Sequence, residues 1–169
     1  MISDAVITPD QRYRYCLFRR WSEHDERCVL WIMLNPSTAD ESIDDPTIRR
    51  CIGFSRLWGY SQLRVVNLFA LRATNPKMIE HAGFPVAVGP ENDEWISMQL
   101  VHASIVIAAW GHKGGLFSRD RAVQRILKPW RYMVHHLGLT LNGAYPRHPL
   151  YAPSAAIPTL WDALEHVAC

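Results

Sequence analysis

The sequence predicts a three-layer α/β domain, with a mainly parallel central sheet flanked by helices and an antiparallel hairpin at its start. Three observations predict this class. Four apolar segments recur along the chain, at residues 28–34, 63–69, 104–110 and 132–137, each of a length suited to a buried strand. Segments with helical signals lie between them, and strands alternating with helices favour parallel pairing with both sheet faces covered. Hydrophobic residues make up 49% of the 169, ample for such a core.

Each element has its own warrant. Residues 12–21 alternate polar and large side chains, with Tyr13, Tyr15 and Leu17 preceding Arg19 and Arg20, which reads as a strand with one wet face. A charged turn at 22–27 joins it to the strand 28–34, so the two read as an antiparallel hairpin. Asp45-Pro46-Thr47 opens a helix: Asp45 suits the N-cap, Pro46 the first helical position and Gly59 the stop. The strand 63–69 ends at Asn67-Leu68-Phe69. A polar loop then runs through Arg72, Thr74 and Asn75-Pro76 to a short helix at 77–81 and a loop at 83–89. Residues 90–102 read as a helix, with Glu91, Asp93 and Glu94 in the first turn, where the helix dipole favours acids. Gly111 breaks the strand 104–110. A helix at 118–127 carries Arg119, Arg121 and Arg125; a loop occupies 139–152 and a closing helix 158–167. No repeat or low-complexity segment divides the chain, so one domain is expected over residues 1–169.

Composition narrows the function classes. The formal net charge is +2 and the pI near 8.4, too mild to mark a nucleic-acid binder by charge alone. Seven Trp is high for this length. Packing is the commoner use of large aromatics, with base stacking or an interface as the alternatives. Cys16, Cys28, Cys51 and Cys169 form no CxxC pair and read as reduced, buried thiols. The histidines show no HExxH-type spacing, and neither a metal nor another cofactor is expected. Residues 1–10 are neither basic nor apolar enough for a signal peptide, and no apolar run approaches membrane-spanning length. The expected address is the cytoplasm, without membrane attachment, and the oligomeric state is open.

The most informative stretch is Met33-Leu34-Asn35-Pro36-Ser37-Thr38-Ala39-Asp40. An apolar strand stops at Asn35-Pro36, and proline fits a strand end because it cannot donate to a sheet ladder. Side chains just past such an end are held by the core yet face solvent, and that edge is where open α/β sheets bind ligands. If the strands are parallel, four loops crowd one edge: 35–38, 67–74, 110–115 and 146–149. They bring an amide, hydroxyls, a carboxylate, arginines, an indole and an imidazole. Each part also has a plain structural use. Asn35 can satisfy loop backbone, Asp40 can form a turn, Asp44 or Asp45 can cap the next helix, and His148 can be a surface loop residue. Gly111, Gly114 and Gly115 can form an anion nest or a plain turn. Arg119, Arg121 and Arg125 read as a solvated helix face, with phosphate contact as the alternative.

With the loops in order, the chain closely resembles an uncharacterised bacterial domain family. The likeness rests on MLNPSTAD at 33–40, DPTIRRC at 45–51, VNLFALRAT at 66–74, AWG at 109–111 and PRHPLY at 146–151. More distantly, it resembles the uracil-DNA glycosylase superfamily, especially its mismatch-specific branch. Leu34-Asn35-Pro36 is similar to that branch's water-binding loop, 66–74 to its second segment, 105–111 to its third strand and His148-Pro149 to its late loop. The resemblance implies a uracil-DNA-glycosylase-like fold and an enzyme that hydrolyses an N-glycosidic bond to a base, in nucleic acid or a nucleotide. It implies that Asn35 holds the attacking water by its side-chain oxygen and that His148 donates to the departing base. Asp40 would assist electrostatically or as a base, Trp110 or Phe69 would stack on the base, and Arg72 and Arg147 would meet phosphates. Pro36, Ser37, Thr38, Asn67, Thr74, Gly111 and Tyr151 complete the expected substrate-binding set. The alternative is a non-catalytic module that binds a nucleotide or nucleic acid in the same cleft.

Overall fold

A strand with no polar side chain must be covered on both faces, and β3 (Cys28–Met33) is such a strand: all six residues are buried. Successive side chains point to opposite faces. Leu30 and Ile32 therefore enter one apolar cluster, while Val29, Trp31 and Met33 enter the other. The computed structural model describes residues 1–168. In it, β3 sits in the middle of a seven-stranded mixed sheet of order β1-β2-β4-β3-β5-β6-β7. The other strands are β1 (Ile2–Ile7), β2 (Arg14–Arg20), β4 (Gln62–Asn67), β5 (Ile105–Ala108), β6 (Val134–His136) and β7 (Thr159–Leu160).

The centre is parallel and the margins are not. β4, β3, β5 and β6 pair in parallel, whereas β1–β2, β2–β4 and β6–β7 are antiparallel. The α/β class is thus observed, and the expected mainly parallel sheet is corrected to a mixed one. The entering hairpin is also corrected. β2 does not pair with β3, because the crossover through helix α1 (Pro46–Leu57) lays β4 between them. The hairpin is β1 with β2, and the sequence reading assigned β1 no strand. Flanked by β1 and β4, β2 lacks the wet face expected of it, and both Arg14 and Arg19 are buried.

Helices cover both faces. α1 packs Ile48, Cys51, Ile52 and Phe54 against the cluster holding Trp31. Asp45 caps it as expected, its Oδ1 accepting from Ile48 N at 2.9 Å. The opposite face receives Ile79 from α2 (Lys77–Ala82), Ala87 from α3 (Phe84–Val88), Ile96 and Leu100 from α4 (Asn92–Leu100), and Val123 and Leu127 from α5 (Arg119–Leu127). α3 occupies the expected loop 83–89, between Gly83 and Gly89, which both have positive φ. The expected closing helix is replaced by β7 and a 3₁₀ turn at Asp162–His166. There Trp161 N donates to Val134 O, which holds the segment on the sheet edge. Arg119 is not on a solvated face: it is 1% exposed, pairs with Asp93 and donates to Leu68 O. Arg121 and Arg125 are exposed as expected.

Trp31, Trp110 and Trp161 are buried in the core, and Trp21, Trp58, Trp95 and Trp130 are half-buried against it. Cys16, Cys28 and Cys51 are buried free thiols, and burial pushes Cys16 up to about 11 and Cys28 to about 12. Thiols held so far from ionisation are poor nucleophiles. Cys169 lies outside the described residues. Among those residues, no helix is long and apolar enough to cross a membrane.

Candidate functional site

Strand order locates the site. The chain leaves β3 to form β4 on one side, then crosses to form β5 on the other. The carboxyl ends of β3 and β5 are therefore a topological switch point, the usual ligand crevice of an open α/β sheet. A hollow of about 540 Å³ opens there. Asn35, Ser37, Thr74, Trp110, Gly111, His148 and Tyr151, all singled out from sequence, line it.

The loops forming the hollow are stapled together by the backbone. Leu68 N donates to Met33 O and Phe69 N to Leu34 O, which continues the β3–β4 ladder past the strand ends. Asn35 Nδ2 donates to Ala73 O at 2.8 Å and to Pro36 O at 2.9 Å, while Ala73 N donates back to Pro36 O at 2.9 Å. Two carbonyl partners fix which end of the amide is nitrogen, since only the NH₂ can donate to them. Both donors are then spent, and Oδ1 is left as the atom free to accept from a ligand or a water.

The late loop is held from two sides. Gly111 N donates to Pro146 O at 2.8 Å, and Gly111 takes φ +74°, a conformation open to a residue without Cβ. From α1, Arg50 donates to Ala152 O at 2.8 Å, clamping the turn that carries His148 and Tyr151. Arg50 belongs to the DPTIRRC stretch, and its anchoring role was not read from sequence. His148 Nδ1 accepts from Leu150 N at 3.3 Å, so the neutral ring carries its proton on Nε2. Burial holds the His148 pKa below the ordinary 6.5, against the opposing pull of Asp45. A neutral imidazole with a donor Nε2–H is the form present at pH 7.

Burial also lowers His136, whose Nδ1 accepts from Gly138 N at 2.9 Å. Between the depressed native values and 6.5, the unfolded chain binds protons that the native state lacks. These histidines' contribution to stability is full above about 6.5 and is lost as the pH falls through their native values. Thermal melts at constant ionic strength should show Tm falling from pH 7 to pH 5, with part of the fall removed in the His136→Gln, His148→Gln protein. An unchanged slope in that variant would contradict the assignment.

Other expected residues stand elsewhere. Asp40 lies outside the hollow: its Oδ1 accepts from Ser42 N, Ser42 Oγ and Ile43 N within its own loop. Those bonds, chiefly from the Ser42 and Ile43 backbone, hold its pKa below the usual carboxylate value, which suits a turn and not a base. Trp110 is 1% exposed, with a T-shaped contact to Trp161, so its ring is not open for a base to stack on. Phe69 is fully buried against Phe117 and does not reach the hollow. Asn67 is buried and Pro36 lies inside the loop, while Thr38 is exposed away from the hollow. Arg72 donates to Gln11 at 2.8 Å, and Arg147 lines an adjoining cleft and donates to Leu139 O at 3.0 Å.

The hollow holds two charged groups that the sequence reading did not place there. Asp45 lines it while capping α1, and Arg14, from β2, forms part of its inner wall. No sequence signal set Arg14 apart, because it sits in an alternating strand beside three other arginines. Among the described residues, no three His, Cys, Asp or Glu side chains converge as a metal set.

Residues 14–150 match the family described as protein of unknown function, DUF1643, and the chain belongs to that family. The matched span contains every residue that lines the hollow except Tyr151. No curated protein and no solved structure matches the chain.

Proposed function

We propose that this member of an uncharacterised family hydrolyses an N-glycosidic bond between a nucleobase and its sugar, in nucleic acid or in a nucleotide. One observation carries the reading. A fixed amide with a free oxygen, at Asn35, and a neutral imidazole with a free donor, at His148, share one hollow at the sheet's switch point. Base release needs both. A water held by Asn35 Oδ1 adds its oxygen to the anomeric carbon. The carbon–nitrogen bond breaks, with its electron pair going to the base. His148 Nε2–H meets that developing negative charge in a partly desiccated site, where a preorganised donor is worth more than in water. Asp45 lines the hollow with Oδ1 tied to the α1 N-terminus, and its other oxygen would take the water's proton and offset charge at the sugar, in place of Asp40, which lies outside the hollow.

The resemblance of the motifs at 34–36, 66–74, 105–111 and 148–149 to the uracil-DNA glycosylase superfamily points toward the same chemistry. Stacking on the base falls to Tyr151, which is exposed beside His148 with ring centroids 5.9 Å apart, in place of Trp110 and Phe69.

The test is release of free base by the purified protein, followed by mass spectrometry. Substrates are single- and double-stranded DNA with uracil, hypoxanthine or mismatched thymine, the corresponding RNA, and nucleoside monophosphates. Release that depends on Asn35 and His148 is expected. Binding of any of these substrates without release would sink the enzyme and leave a nucleotide- or nucleic-acid-binding module.

A further inference from the structure

Arg14 is a cation inside the protein with no carboxylate bonded to it. It is 2% exposed, and its guanidinium donates to Ala39 O at 3.0 Å and to Asn67 Oδ1 at 3.4 Å, both uncharged. Its buried Nε has no partner. The other two deeply buried arginines differ: Arg19 is paired with Asp44 and Arg119 with Asp93. A buried charge with no bonded counter-charge is costly, and an anionic ligand would offset that cost. What Arg14 exposes faces the hollow.

The surroundings favour an anion there. Lys113 lines the same hollow, and so does Thr47 in the first turn of α1, whose twelve residues direct the positive end of their dipole at it. Asp45 is the opposing charge, but its Oδ1 is held by the α1 N-terminus. Arg72 and Arg19 add positive potential around Arg14. Burial nonetheless lowers the Arg14 pKa to about 10, so it remains a full cation at neutral pH.

We propose that Arg14 and Lys113 seat a terminal phosphate, and that the ligand of the hollow is therefore a free nucleotide. Position decides between a phosphate monoester and the diester of a polynucleotide. Arg14 sits among Met33, Ile48 and Trp110, each at most 4% exposed, at the buried side of the hollow, whereas Lys113 is exposed and reaches in from the solvent side, as does Tyr151 at 76% exposed. A diester must continue in two directions and cannot end at a closed wall, while a monoester can. The volume of about 540 Å³ falls in the range of small-ligand sites. The nucleotide part of this assignment rests on the glycosidic reading, and the phosphate part on Arg14 and its surroundings.

Calorimetric titration tests it with 5′-monophosphates of the common nucleosides, the matching nucleosides, inorganic phosphate, and an oligonucleotide with 5′- and 3′-hydroxyl ends. At least one monophosphate should bind tenfold or more tighter than its nucleoside, and inorganic phosphate should compete. Arg14→Met should abolish the preference and Lys113→Met should reduce it. The wild-type preference and the phosphate competition are read without any variant, so they stand if Arg14→Met fails to fold. Equal affinity for nucleoside and monophosphate, tighter binding of the oligonucleotide, or no binding at all overturns the proposal. Phosphate-dependent binding without base release sinks the glycosidic reading alone. Base release equally fast from nucleosides and monophosphates sinks the phosphate seat alone.

Discussion

Asn35→Ala and His148→Ala should each slow base release by about 100-fold or more, while changing nucleotide affinity by about threefold at most. The magnitude follows from what each group meets. Both are assigned to charge and geometry that exist only in the transition state: an oriented water at the anomeric carbon and an electron pair arriving on the base. Interactions of that kind lower the rate when removed and leave ground-state binding largely intact. Asn35→Asp separates the amide's two tasks. A carboxylate keeps an oxygen for the water, but it cannot donate to Ala73 O and Pro36 O, the acceptors that fix the side chain. Two carbonyls would then face a carboxylate, and the side-chain part of the link between the β3 and β4 loops is lost while the backbone bonds stay. Asn35→Asp should therefore be as slow as Asn35→Ala, and less stable than the wild type by about 1–3 kcal/mol, since Ala73 O loses its side-chain donor and a carboxylate is set against it. His148→Gln can still donate, so partial recovery over His148→Ala is expected. Release rates that are unchanged in both alanine variants would place the chemistry elsewhere.

How much of this was legible in sequence depends on the range of the interaction. The Asp45 cap, Pro46 and the helix they open are local, set by a few neighbouring residues, and they read correctly. The four inner strands were placed correctly, with their ends one or two residues earlier than expected, because an apolar run stopping at Asn-Pro or Gly has a local cause. From four such ends it was possible to predict that Asn35, Ser37, Thr74, Gly111, His148 and Tyr151 line one hollow. Pairing was not legible. Whether β2 lies beside β3 or beside β4 is decided by the crossover through α1, and no residue in β2 announces it. The partners of buried charges were equally hidden. Arg14, Arg19 and Arg119 look like surface arginines in a list of residues, and each is buried because of a contact with a segment at least 25 positions away. Asp40 and Asp45 illustrate the same limit. Both are turn-forming carboxylates in sequence, and only the fold shows that Asp45 turns toward the hollow while Asp40 closes its own loop.

Asp44→Ala should lower stability by about 3 kcal/mol, or Tm by about 6–12 °C for a chain of this size. Arg19 is 1% exposed, and Asp44 Oδ1 is the charged partner of its Nε at 2.8 Å. Its remaining bonds go to carbonyl oxygens, those of Asp40 at 2.5 Å, Phe18 at 2.8 Å, Asp4 at 3.3 Å and Ile43 at 3.4 Å. Removing the carboxylate leaves a guanidinium in the interior with dipoles only, and breaking one side of a buried pair is more damaging than replacing both sides. The exposed pair of Arg27 with Asp25 provides the control: Asp25→Ala should give no measurable change in Tm, because solvent screens that interaction. The double replacement Arg19→Met, Asp44→Leu should regain much of what Asp44→Ala loses, since it removes the uncompensated charge. The consequence reaches the site through the chain itself. Arg19 gathers the carbonyls of residues 40 and 43, and Asp45, which caps α1 and lines the hollow, is the next residue after Asp44. Asp44→Ala should therefore also weaken nucleotide binding at temperatures where the protein is still folded. Loss of stability no greater than in Asp25→Ala would show that the pair is solvated and that the loop is held by its carbonyl bonds alone.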